Sequence, residues 1–246
     1  MALSASPENQ ELLLELQELD TRLAQLAHRA SHLPELATLA DLSTRAESTR
    51  ADLAVKRGAA EDVAAELGRI EADVRVVQER IARDSDRIQS SSSVKDVAAL
   101  EQELAALRKR LSDLEDIEIA VMERQEEAEA ELAAAAGELE SIASAIAAAE
   151  AGRDAGLAVI ASERVTAEKA RAELAAQVPA DLLALYERQR ERYGVGASLL
   201  QHGVSKASGV ALTEDELQSI RAAAPDTVII CPSSDAILVR TAESGL

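Results

Sequence analysis

Apolar residues recur along most of this chain in alternating steps of four and three. Before residue 90 they fall at Val63, Leu67, Ile70, Val74, Val77, Ile81 and Ile88, with Asp84 the one gap. After residue 93 they fall at Val97, Leu100, Leu104, Leu107, Leu111, Leu114 and Val121. Leu132, Ala135, Leu139, Ile142, Ile146 and Ala149 continue the same register. This is the seven-residue repeat of a coiled coil. Glu118, Gln125 and Arg153 interrupt the seam and loosen it locally. Between the two runs, Ser90–Ser93 breaks the helical composition. Serine is a weak interior helix residue because its hydroxyl competes for backbone hydrogen bonds. Ser93 is placed to cap a helix restarting at Val94. A plain hairpin turn is the simple reading of the serines; a phosphorylation site or partner contact is the alternative.

The arms on either side of the serines are similar in length. An antiparallel hairpin folded there pairs positions whose numbers sum to about 185. Ile81 then faces Leu104, Val74 faces Leu111, Leu53 faces Leu132 and Leu39 faces Ile146, apolar against apolar each time. A parallel dimer would not require this mirror symmetry. At the helical rise each arm would extend on the order of 120 Å. Pro34 predicts a kink or short break near residues 31–34, because it lacks an N–H and clashes with the preceding turn. Glu11 to Ala30 then reads as a separable amphipathic helix carrying Leu12, Leu16, Leu19, Leu23 and Leu26.

Pro179 ends the second arm. Residues 180–192 read as a short helix, and Gly194-Val195-Gly196 as a hinge. The rest differs in kind. Thr213-Glu214-Asp215-Glu216 is a capping box that starts one short helix. Thr227–Cys231 and Ala236–Arg240 are β-rich runs joined by Pro232–Asp235, a hairpin signal. The predicted organisation is a hairpin over 1–178, a connecting helix over 179–194 and a small head over 195–246. Such a short head would lean on Val210, Leu212, Leu217, Ile220, Val228, Ile230, Ile237 and Val239, and on the Tyr186 helix.

Composition supports this architecture. Apolar residues are 47% of the chain, yet Phe and Trp are absent and Tyr186 and Tyr193 are the two aromatic residues. Charged residues are 29%, with a net charge of −19. Alanine, leucine and charge without aromatic rings suit long helices better than a compact enzyme core. The acidic balance opposes wholesale binding to nucleic acid or an anionic membrane. A single cysteine fits a reducing compartment. No leader pattern and no uncharged apolar run of spanning length is visible, so the expectation is a cytoplasmic protein without a membrane segment.

The whole layout resembles the bacterial C4-type zinc-ribbon proteins with a long N-terminal coiled-coil hairpin. The stretches that carry the resemblance run from Leu182–Tyr186 through Gly194–Gly196 to Ile220–Asp226 and Ile237–Gly245. The resemblance implies two Cys-x-x-Cys knuckles holding one zinc. The matching positions here are Ser205, Ser208, Cys231 and Ser234, so three of four ligands are serine. A tetrahedral zinc site needs thiolate or imidazole donors, and a neutral hydroxyl is a poor one. His202 and Asp235 lie nearby in sequence as further potential donors. The expected fold is therefore mainly α: a long antiparallel coiled-coil hairpin with a small C-terminal zinc-ribbon-like α+β head lacking the metal site. No cofactor is expected, the family zinc being lost.

Other chemistry is sparse. His28 and His32 are four apart on a helix but lack an intervening Glu and a third ligand. Cys231 has no adjacent Lys, Arg or His to lower its pKa, which predicts a buried inert thiol. Tyr186, Arg188, Arg192 and Tyr193, with Arg190, form the local basic–aromatic cluster and the candidate contact surface, either toward a partner or between head and rod. Beyond residue 194, three cations (Lys206, Arg221, Arg240) face six anions, which suits a nucleic-acid reader poorly. The sequence therefore predicts a non-enzymatic adaptor or chaperone-like protein-interaction protein, monomeric or weakly dimeric. A nucleic-acid-binding regulator acting through the head is the alternative reading.

Overall fold

The computed structural model describes residues 3–246. The elements are α1 (Pro7–Ser31), α2 (Pro34–Ser90), α3 (Val94–Ala175), α4 (Ala180–Tyr193), β1 (Ala197–Gln201), β2 (Val204–Ser205), α5 (Glu214–Ala222), β3 (Ile229–Ile230) and β4 (Ile237–Val239), closed by a short 3-10 turn over Ala242–Ser244. The described residues divide into two compact units, 35–151 and 3–34 with 152–246.

The 35–151 unit is the helical hairpin, with α2 and α3 antiparallel. Along α3 the sheltered positions step by three and four without slippage, through Leu100, Leu104, Leu114, Val121, Ala135 and Ile142. Leu42, Ala46 and Ile142 form a packed cluster with Leu139, Ile146 and Ala149. Cross-arm ion pairs join Arg45 to Glu138, Lys56 to Glu131, Arg80 to Glu103 and Arg124 to Glu66. Their position numbers sum to between 183 and 190, within about a helical turn of the register read from the sequence. The gap at Asp84 is a buried seam position. Its side chain is 7% exposed and is flanked by Arg80 (3.8 Å) and Arg87 (3.4 Å). Two arginines one turn away allow a carboxylate where the heptad asks for an apolar side chain. Glu118 and Gln125 keep the seam's spacing and its partial shelter, so polar residues there do not shift the register.

By length and composition α3 is also apolar enough to cross a membrane. Its apolar character over residues 132–149 is mostly alanine, and Leu139, Ile142, Ile146 and Ala149 there pack on Leu42 and Ala46.

The other unit contains α1, the last part of α3, α4 and the head. The break before Pro34 falls at His32–Leu33, where α1 ends. Gly194 ends α4 in the left-handed conformation (φ 83°). The head carries a four-stranded sheet in the order β2-β1-β4-β3. The expected hairpin is present, with Ile229 opposite Leu238 and Ile230 opposite Ile237. The parallel pairing of β1 with β4 and the β1–β2 hairpin were not legible beforehand. The Thr213–Glu216 capping box is formed and starts α5.

The head's support differs from expectation. Leu13 and Leu16 of α1 are fully buried with Leu182, Tyr186, Ala197, Val228, Ile237 and Val239 in one core. Full burial of each such leucine is worth roughly 1.5–3 kcal/mol, so α1 is part of what folds the head. A second core joins Leu200, Leu212, Ile220, Cys231 and Leu238. Val210 and Ile230 were expected inside; they are 52% and 36% exposed. Val210 lies outside any strand, and Ile230 sits on the edge strand β3, which has a neighbouring strand on one side alone.

Candidate functional site

Two groups of side chains stand out, both within the unit that holds the head. The first is a joint between α1, α3, α4 and β1. Tyr186 is completely buried, and its hydroxyl donates to Asp20 Oδ2 at 2.6 Å and lies 3.4 Å from Gln17 Oε1. Gln17 Oε1 also accepts from the backbone amides of Gly196 (2.7 Å) and Ala197 (3.3 Å). Arg171 makes a two-pronged bond to Asp20 (2.6 and 3.1 Å) and reaches Glu187 at 2.5 Å. Arg190 clamps the other oxygen of Glu187 (2.9 and 2.7 Å). Burial pushes the Glu187 carboxyl up, but Arg171 and Arg190 more than reverse this and hold it below the usual carboxylate range. Burial and the bond to Asp20 push the Tyr186 phenol far above its ordinary value, so it remains a proton donor.

Gly196 belongs to the same joint. A Cβ there would lie 2.5 Å from Tyr186 Cε2, so the ring occupies the space a side chain would need. The Gly194–Gly196 segment, expected as a hinge, is instead a locked corner. Gly194 caps α4, while the Gly196 amide is bonded to Gln17 and its Cα lies against the ring.

The second group surrounds Cys231. Two turns of the same construction meet there. In one, the Gly209 amide donates to Ser205 O (2.8 Å), with Gly209 left-handed at φ 68°. In the other, the Asp235 amide donates to Cys231 O (2.9 Å), with Asp235 left-handed at φ 55°. The turns are bridged by Ser233, whose hydroxyl donates to Ser208 Oγ at 3.1 Å and lies 3.2 Å from the Cys231 sulfur. Ser205 is fully buried and lies 3.3 Å from Ser198 Oγ. Burial alone would push the Cys231 thiol up. Hydrogen bonding from Ser205 and Ser233 wins, and the thiol is pulled down to about 7. The thiol is therefore buried but not inert in its acid–base chemistry. The Ser205 contribution arrives from a distant turn, while Ser233 lies two residues away and acts through a neutral hydroxyl and not through a charged neighbour of the kind sought in the sequence.

These donors do not fit a zinc ion. Three hydroxyls and one thiol offer a single soft ligand where tetrahedral zinc wants four N or S donors. Among the described residues there is no group of three or more His, Cys, Asp and Glu that could hold a metal. His202 occupies a two-residue turn between β1 and β2 with Gly203, both at positive φ, and its amide donates to Glu243 O. Its position is a turn requirement. Asp235 likewise serves as the left-handed end of its turn.

A family model described as the CT398-like coiled-coil hairpin domain matches residues 16–194. The Mycobacterium tuberculosis protein Rv2229c is 36% identical over 239 residues, covering 97% of this chain and 98% of its own. The chain belongs to the CT398-like coiled-coil hairpin family. A solved structure from Mycobacterium smegmatis is similar over 97% of this chain and 100% of its own, with 32% identity and a TM-score of 0.84. The structure of CT398 from Chlamydia trachomatis covers 95% of this chain and 98% of its own at 20% identity and a TM-score of 0.64, a likeness of fold. The CT398-like match ends at Gly194, the helix cap, so it spans both arms and α4 but not the sheet of the head.

The predicted contact cluster is split by the fold. Tyr186 is withdrawn into the joint, so of the two kinds of contact open to it, with a partner or within the molecule, it makes the internal one. Arg188, Arg192 and Tyr193 are exposed on the outer side of α4, with the Arg192 guanidinium 5.2 Å from the Tyr193 ring centroid. Gln17, Asp20 and Arg171 carry no signal in the sequence, since each looks like an ordinary polar residue on a helix. His28 and His32 stack face to face at 3.9 Å, and His32 Nδ1 bonds to His28 O at 2.9 Å, so that nitrogen is turned onto the helix end.

Proposed function

We propose that this protein is a non-enzymatic coiled-coil adaptor or chaperone-like protein, cytoplasmic, and monomeric or weakly dimeric, which presents its head to protein partners. The observation that carries the reading is the exposed Arg188, Arg192 and Tyr193 trio on α4, next to a locked joint. Arginine and tyrosine concentrate binding energy when a partner covers them, and a fixed scaffold lowers the ordering cost. An acidic partner segment suits the two arginines. The net charge of −19 weighs against the nucleic-acid alternative.

The head is, in this reading, a zinc-ribbon-like module whose metal has been replaced by hydroxyl and thiol hydrogen bonds. Two matching turns at Ser205–Gly209 and Cys231–Asp235, meeting around one sulfur, support that reading. The core contributed by α1 supplies the stability that a staple gives other small heads.

The test compares affinity recovery, read by mass spectrometry, for the full chain and for an Arg188→Ala, Arg192→Ala double variant. The variant should keep its melting temperature, because exposed charges add little to folding. It should lose the partners that the full chain recovers. An unchanged partner set at unchanged stability would reject the α4 surface.

A further inference from the structure

The edge of the head's sheet carries one more surface. β3 is the outermost strand, and part of that edge is already used for strand addition. The segment Leu3–Ala5 runs antiparallel to it: the Ala5 amide donates to Asp226 O (2.8 Å) and the Val228 amide donates to Leu3 O (3.0 Å). Ser4 Oγ also donates to Asp226 Oδ2 at 2.6 Å. Hydrogen bonding along an antiparallel strand alternates sides. Val228 turns outward to Leu3, and Cys231 turns inward to Ala236 O, so Ile230 turns its N–H and C=O outward. No described residue bonds to them.

Beside this open position lies a groove of about 340 Å³ lined by Ile220, Ile229, Ile230 and Pro232 on one side and Asp215, Glu216 and Ser219 of α5 on the other. Ile230 is 36% exposed, against the expectation for a head this small. The Asp215 carboxylate has no partner among the described residues, while Glu216 caps its own helix and still carries its charge to the rim. An apolar floor, an acidic wall and an unpaired strand edge together describe a strand-addition site.

We propose that the β3 edge at Ile230 accepts an extended, basic peptide segment of a partner protein, which adds as a strand through the Ile230 N–H and C=O and sets an apolar side chain over Ile220 and Ile229 and a Lys or Arg against Asp215 and Glu216. The proposal rests on the adaptor reading and places a second contact on a different face from Arg188 and Arg192. The charge preference is opposite: this face selects basic peptides, the α4 face acidic ones.

The probe is a fluorescent peptide alternating valine and lysine, titrated by anisotropy into the full chain. Saturable binding is expected, at least about tenfold weaker for the same peptide N-methylated at every second residue, because methylation removes the strand's donors. A valine–glutamate peptide should not saturate. An Asp215→Asn, Glu216→Gln variant, which keeps the helix cap, should bind at least about fivefold more weakly and with a shallower salt dependence. Equal affinity for the N-methylated peptide, or an unchanged affinity in the variant, would overturn the proposal while leaving the α4 surface and the adaptor reading intact. Binding that appears only after residues 1 and 2 are deleted would assign the edge to the chain's own start and overturn it as well.

Discussion

Replacing Gly196 by alanine tests the joint most directly. The added methyl would meet Tyr186 Cε2 at 2.5 Å, Cδ2 at 2.6 Å and Cζ at 2.9 Å, where ordinary contact begins near 3.4 Å. The ring must withdraw by about 1 Å. It has little freedom to do so, since it is completely buried and its hydroxyl is tied to Asp20 at 2.6 Å. Overpacking of this kind costs about 1–3 kcal/mol. Losing a hydrogen bond to a buried carboxylate adds about 1.5–3 kcal/mol if the ring moves far enough to break it. The expected destabilisation is therefore about 3 kcal/mol, a fall of about 6–12 °C in melting temperature for a chain of this size. The assay is urea unfolding followed by near-ultraviolet circular dichroism. Tyr186 and Tyr193 are the sole aromatic residues, so that signal reports on α4 and its surroundings. A Tyr186→Leu substitution removes the clash, so the double variant should cost clearly less than the two single changes added together. Gly196→Ala within about 0.5 kcal/mol of wild type, or strictly additive costs, would refute the account of a locked corner.

Three further outcomes are expected. The Cys231 thiolate absorbance should titrate with a midpoint near pH 7, and Ser205→Ala with Ser233→Ala should raise it to or above the ordinary thiol value of about 8.5, because burial is then less opposed. Because the folded pKa is depressed, the thiol's stabilising contribution is present at alkaline pH and lost as pH falls from about 8.5 through about 7, on the order of 2 kcal/mol in all; a Cys231→Ser chain should lack that slope. Converting Ser205, Ser208 and Ser234 to cysteine should create a site binding one zinc per chain by elemental analysis and raise the melting temperature; failure to bind zinc in a folded variant would reject the two-turn reading of the cluster. Val74→Cys with Leu111→Cys in a Cys231→Ser background should crosslink within one chain, as the antiparallel register requires, and purely intermolecular products would reject it.

The heptad spacing alone determined the hairpin. A seam that repeats every seven residues on both sides of a serine turn has one intrachain register that keeps apolar residues together, and Leu42, Ala46 and Ile142 pack in that register. Local signals of equal strength announced α5, through the Thr213–Glu216 box, and the β3–β4 hairpin, through its turn residues. Tertiary structure decided what these elements meet. Asp20, Arg171 and Glu187 come from three helices, and no spacing in the chain announces their convergence on Tyr186. The fall in the Cys231 pKa depends on a hydroxyl from residue 205, and the burial of Tyr186 depends on α1 folding back onto β1. The exposure of Ile230 follows from its being on an edge strand, which alternating apolar residues cannot reveal. Periodicity records which face of an element is sheltered; which distant group shelters it, and whether that group carries a proton, is set when the chain closes on itself.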